Sequence, residues 1–151
     1  MSVPTKSTVM RLRHILVPVD FSPNARRALQ LANPLAARFH ARITLLHVVE
    51  PVVYPGEMGI LVPDSTNTSV ASRRQLAMLA HKFIPKKLQG KIAVRTGSPY
   101  YEIAEAARQL KMDLIVLTTH GYTGLKRVLL GGTAERVVRH APCPVLTVRV
   151  R

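Results

Sequence analysis

Residues 113–140 read DLIVLTTHGYTGLKRVLLGGTAERVVRH, and this stretch decides the fold. The run Leu114-Ile115-Val116-Leu117, bounded by Asp113 and the pair Thr118-Thr119, predicts a short buried strand. A glycine-punctuated loop follows, from His120-Gly121-Tyr122-Thr123-Gly124 to Gly131-Gly132-Thr133. Beyond it Ala134, Val137, Val138 and Ala141 recur at helical spacing. Strand, glycine loop and helix start, in that order, form a phosphate-binding arrangement. Glycines let backbone approach an anion, and the first N–H groups of the helix have no partner within it. The plain alternative is a loop that only joins strand to helix.

Working outward, Ile15-Leu16-Val17-Pro18-Val19 is a second near-continuous apolar run, as expected for a strand buried on both faces of a parallel sheet. Pro18 cannot donate a ladder bond, so it belongs at the strand's carboxyl end. Asp20 then emerges at the carboxyl edge, where open α/β sheets bind ligands. Its alternative role is to cap the turn before the next helix. That helix is predicted to be capped by Ser22 with Pro23 in its first position. Its inward stripe is Ala25, Ala28, Leu29, Ala32, Leu35, Ala36 and Phe39, and Pro34 is expected to kink or break it.

Arg42 to Val49 reads as the next buried strand, with His47 a satisfied core histidine. The segment from Glu50 to Thr68 is rich in proline, glycine and small polar residues, and is expected to be a long loop with Met58 a candidate lid residue. Leu76, Leu79, Ala80, Phe83 and Ile84 mark a second helix ending near Pro85. Ile92 and Val94 mark a half-exposed strand, and Ser98-Pro99 begins a third helix with Ile103, Ala106, Ala107 and Leu110 inward. Val145 to Val150 is the last strand. The alternation predicts an α/β fold: one open five-stranded parallel sheet with helices on both faces, Rossmann-like. Residues 1–12 are expected to be a basic leader and residues 13–151 a single domain. Asp20 and the glycine loop then meet at one edge.

The chain's 151 residues suffice for one core, and 47% hydrophobic with 20% charged residues is an ordinary globular balance. No apolar run has membrane-spanning length, and the opening lacks the apolar stretch of a signal peptide, so a cytoplasmic protein without membrane contact is expected. The single cysteine, Cys143, lies between Pro142 and Pro144 and reads as a packing residue. Lys and Arg outnumber Asp and Glu by 22 to 8, which favours anionic partners. The charge is scattered, however, and with aromatics at 5% and no tryptophan there is little to stack single-stranded nucleic acid on. Weak nucleic-acid binding is therefore kept only as a third reading. Lys126 and Arg127 are the basic pair with a specific reason to face phosphate, being inside the glycine loop. The methionines read as core or loop residues. No metal-ligand spacing and no Ser/His/Asp constellation is discernible.

From about residue 11 to the end, the chain resembles a single-domain universal stress protein of the UspA type. The resemblance is carried by HILVPVDFS at 14–22, TLLHVVE at 44–50, GSPYYEIAEAA at 97–107, and the block from DLIVLTTHGYTG through LLGGTAERVVRHAPCPVLTVR. It implies a fold like that of the adenine nucleotide alpha hydrolases. The family's nucleotide-binding subgroup carries Gly-x2-Gly-x9-Gly-(Ser/Thr). Laid on this chain, the second glycine is Gly121 and the third Gly131, with Thr118 in the first position and Gly132 in the last. The chain thus departs twice: a β-branched side chain replaces a glycine, and a hydroxyl is lost, which Thr133 stands next in line to supply.

The resemblance also implies that Pro18, Val19 and Asp20 line the pocket floor and that Val48 touches the adenine. Leu117 and Thr118 are further candidate binding residues, His120 is read as a loop-shaping or ribose-side residue, and Gly121, Gly131, Gly132 and Thr133 would surround the phosphates. The implied ligand is ATP or a related adenine nucleotide, with or without magnesium, and the implied assembly a homodimer through Val145 to Val150. The expected role is a sensor or adaptor with an unidentified protein partner and slow or absent hydrolysis. The rival reading is a nucleotide-free dimeric interaction module of the same fold, supported by Thr118 and Gly132.

Overall fold

A computed structural model describes residues 11–53, 60–61, 65–119 and 131–149. The expected lid residue Met58, the loop residues His120, Gly121, Lys126 and Arg127, and the chain end from Val150 lie outside the described residues.

Five parallel strands form the main sheet: β1 (His14–Pro18), β2 (Arg42–Val49), β5 (Gln89–Thr96), β6 (Leu114–Thr118) and β7 (Val145–Val148). Their spatial order is β5-β2-β1-β6-β7. The apolar runs take the inner places for a simple reason: a strand covered on both sides has no face for polar residues. Ile15, Leu16 and Val17 of β1 and Ile115 and Val116 of β6 are fully buried. β5 carries Gly90, Lys91 and Arg95 and lies at the edge.

The helices divide between the two faces. Helices α1 (Ala25–Phe39) and α2 (Ser65–Phe83) cover one, their residues Ala28, Leu29, Ala32 and Leu76 clustering with Ile15, Val17, Ile43 and Leu45. Helices α3 (Pro99–Gln109) and α4 (Gly132–His140) cover the other, where Ile103, Ala106, Ala134 and Val137 cluster with Leu16, Leu46, Ile115 and Leu117. Alternate residues of β1 thus serve opposite layers.

Several expectations are corrected. The segment from Glu50 is not all loop, since it contains a two-stranded antiparallel ribbon, β3 (Val52–Val53) with β4 (Ile60–Leu61), and α2 begins already at Ser65. Pro34 does not break α1, which runs through it. The N–H that proline lacks would have met the carbonyl of Gln30, an exposed residue, so the missing bond falls on the solvent side of the helix. Phe39 is not inward but 49% exposed, because the final turn of α1 runs to the left-handed His40, where the chain reverses. Val138 and Met78 are exposed as well. At the other extreme Leu12, expected in the leader, is buried in the core.

Candidate functional site

The carboxyl ends of β1 and β6 are neighbours, yet the chain leaves them in opposite directions, β1 toward β2 and β6 toward β7. This divergence is the topological switch point of the sheet, the place where helix-flanked parallel sheets leave a crevice.

On the β1 side the ladder continues one step past the strand, with the Val19 N–H donating to the Leu46 carbonyl at 2.7 Å. Val19 is buried and Asp20 exposed. Asp20 Oδ1 accepts the Ser22 N–H at 2.9 Å, closing a tight turn whose middle residue, Phe21, has φ 60°. That left-handed backbone is held by the ring, which packs tilted by 39° against His47 with centroids 4.4 Å apart. His47 Nδ1 in turn donates to the Val19 carbonyl at 2.7 Å, so it is satisfied, as expected. The turn explains a corrected expectation. Ser22 does not cap α1, because the reversal at Phe21 delays the helix to Ala25, with Asn24 at the cap position and no side-chain cap bond. The carboxylate of Asp20 therefore has a structural partner and remains exposed beside the crevice.

On the β6 side Leu117 is buried and Thr118, the last strand residue, is half-buried opposite Val148. Thr119 is the hinge of the site. Its N–H donates to the Val148 carbonyl at 3.0 Å, and its carbonyl accepts the Gly131 N–H at 2.7 Å. The second bond pins the start of α4 to the end of β6. Gly131 is the cap residue, its carbonyl accepting the Glu135 N–H at 2.9 Å, and it has no side chain to cap with. Thr133 does not serve as cap; it is exposed within the first turn. The N–H groups of Gly132, Thr133 and Ala134 consequently have no partner within the helix itself. Among the described residues a Cβ on Gly132 would meet nothing within 4 Å.

The fold therefore brings Pro18, Val19, Asp20, Leu117, Thr118, Gly131, Gly132 and Thr133 to one edge. Val48 reaches the same edge one strand further out, on β2, while His120 and Gly121 lie outside the described residues. Sequence reasoning missed two contributors. Nothing in Asp-Phe-Ser announces the left-handed turn at Phe21. Thr119 was legible only as a strand boundary, although a buried residue between strand and glycine loop was the available signal.

Among the described residues no group of three or more His, Cys, Asp or Glu side chains is placed to hold a metal ion, and no helix is long and apolar enough to cross a membrane. Cys143 is half-buried; burial pushes its thiol pKa up, and the charge of Asp113 adds to the rise. A thiol so held is a weak nucleophile, consistent with packing.

Comparison with known proteins agrees with this architecture. The family model described as Universal stress protein family matches residues 11–149. Universal stress protein A homolog 1 of Coxiella burnetii is 34% identical over 144 residues, covering 92% of this chain and 97% of that protein. The solved structure of UspA from Lactobacillus plantarum superposes with a TM-score of 0.72 at 32% identity, covering 92% of this chain and 99% of that one. Two more distant structures share the fold: a universal stress protein in complex with cAMP (TM-score 0.63, 23% identity, covering 91% and 97%) and an Arabidopsis thaliana family member with AMP bound (TM-score 0.59, 21% identity, covering 92% of each).

Proposed function

The chain belongs to the universal stress protein family, and we propose that it binds ATP or a related adenine nucleotide in the crevice between β1 and β6. The observation that carries this reading is the Thr119–Gly131 hydrogen bond, which fastens the open amide end of α4 beside the strand ends and Asp20. Three amide donors at a helix start favour phosphate, and a carboxylate across the crevice suits ribose hydroxyls. Adenine nucleotides sit on this fold in the cAMP and AMP complexes named above, a likeness of fold that supports the ligand class by analogy. Magnesium would arrive on the nucleotide, since it favours phosphate oxygens, waters and one or two carboxylates over an all-protein cage. Asp20 is the carboxylate at the end of β1 suited to meet it.

The role is that of a cytoplasmic sensor or adaptor with slow or absent hydrolysis. Holding phosphate stabilises bound nucleotide and transition state alike, which does not by itself accelerate chemistry. The assembly is a homodimer through β7, whose outer edge is unpaired among the described residues and thus available to a second copy. The nucleotide-free module remains the second reading, favoured by Thr118 and Gly132 at motif positions of the binding subgroup.

Titration calorimetry of nucleotide-stripped protein with ATP and magnesium tests the choice. One-to-one binding that survives high salt and is lost in Gly121→Val is expected. No binding, or binding that vanishes with salt, overturns the nucleotide reading.

A further inference from the structure

On the other side of the Asp20 turn, between α1 and α2, lies a cavity of about 640 Å³. That volume is within the roughly 300–1,000 Å³ usual for small-molecule sites. Its chemistry differs from that of the crevice. Phe21, Leu29, Met78 and Leu79 supply an apolar wall, and among the described residues no carboxylate lines it. Two cations belong to it, Arg26 and Lys82, standing 5.3 and 5.4 Å from the centroid of the Phe83 ring. Among the described residues neither has a carboxylate within ion-pair distance.

The second observation is Ser22. It lines the cavity and is 5% exposed, and its Oγ is buried with no hydrogen-bond partner among the described residues. A buried hydroxyl without a partner costs stability, and such groups are rare unless something else pairs them. Met78 adds a further mismatch, an apolar side chain 65% exposed at the cavity wall.

We propose that this cavity is a second ligand site, for a small molecule with an apolar body and one anionic head, of the medium-chain alkyl carboxylate class. The apolar wall takes the body, Arg26 and Lys82 the charge, and the Ser22 hydroxyl donates to the head. A polyphosphate is a poor fit, because the described lining offers two cations while the Ala25 and Arg27 amides at the start of α1 are already bonded to the Ser22 and Asn24 carbonyls. The site abuts Val19 and so shares a wall with the crevice, but it does not depend on the nucleotide reading.

The test is calorimetric titration of the full chain, stripped of nucleotide, with decanoate below its micellar concentration and with decanol as the neutral counterpart. Saturable one-to-one binding of decanoate is expected, with decanol and the double variant Arg26→Gln/Lys82→Gln each weaker by about tenfold or more. Both cations are on exposed residues, so the double variant keeps its fold. Ser22→Ala should raise the thermal midpoint of the unliganded protein while weakening decanoate. Absence of saturable binding, equal binding of decanol, or unchanged affinity in the variants overturns the proposal. A protein that ignores ATP yet binds decanoate in this way upholds it while removing the nucleotide reading.

Discussion

The two helical layers on this one sheet are built differently. On one face α3 and α4 close against each other and the sheet, with Ala106 and Val137 at 0% exposure and the Tyr100 ring against His140 and under Arg136. On the other face α1 lies over the centre of the sheet and α2 over its β2 and β5 side, leaving between them the cavity with the Ser22 hydroxyl, which has no partner among the described residues. The closed layer fixes the start of α4, which a phosphate site needs, because donors aimed at an anion are worth most when they need not reorganise. The open layer is where the helices leave a cavity against the sheet. Function on this fold is therefore expected at the rigid layer's edge and within the loose layer's gap.

The largest effect that tests this contrast is on stability. Ile115→Ala, in the closed layer, should cost about 3–5 kcal/mol in denaturant unfolding. Leu29→Ala, equally buried but bordering the cavity, should cost nearer about 2 kcal/mol, since an existing gap enlarges where the other substitution opens a new one. Equal costs would mean the layers do not differ. Next, Asp20→Ala should lose about 1 kcal/mol of stability with the Ser22 N–H bond and weaken ATP about tenfold. Asp20→Asn keeps an acceptor for that bond, so its stability should hold while affinity still falls. Calorimetry with parallel thermal melts separates the two.

How much of this was legible beforehand depended on whether the information was local. The end of β1 near Pro18, the close of β6 at the threonine pair and the order of elements follow from apolar runs and one imide, all local signals, whereas α4, expected beyond Thr133, already starts at Gly132. The failures share another cause. The delayed start of α1 depends on Phe21 finding His47 on a different strand, and the tolerance of Pro34 depends on which side of the helix meets water. The cavity was invisible because it depends on how two helices, joined at Phe83 by Asn33 and Arg26, are spaced on the sheet. In the candidate site, Asp20 and the glycines were readable by type, whereas Thr119 acts through its backbone, to which sequence is nearly silent.

Smaller effects sharpen the picture of the edge. Gly132→Ser adds a Cβ that meets no described residue and supplies the family's hydroxyl, so ATP should bind a few-fold tighter with stability changed by less than about 0.5 kcal/mol. Unchanged affinity would show that this position does not meet phosphate. Least of all, Cys143 should react with iodoacetamide at neutral pH more slowly in the folded protein than in denaturant, because its raised pKa leaves less thiolate. Faster reaction in the folded state would contradict the packing assigned to it.

The most direct measurement of the central claim is backbone amide NMR during titration with magnesium-ATP at high salt. Saturating shifts are expected at Asp20, Thr118, Thr119 and Gly131 to Thr133, with Arg26, Met78 and Lys82 little changed. Shifts confined to the α1–α2 cavity, or spread over surface lysines and arginines and abolished by salt, would contradict a nucleotide site at the meeting of β1 and β6.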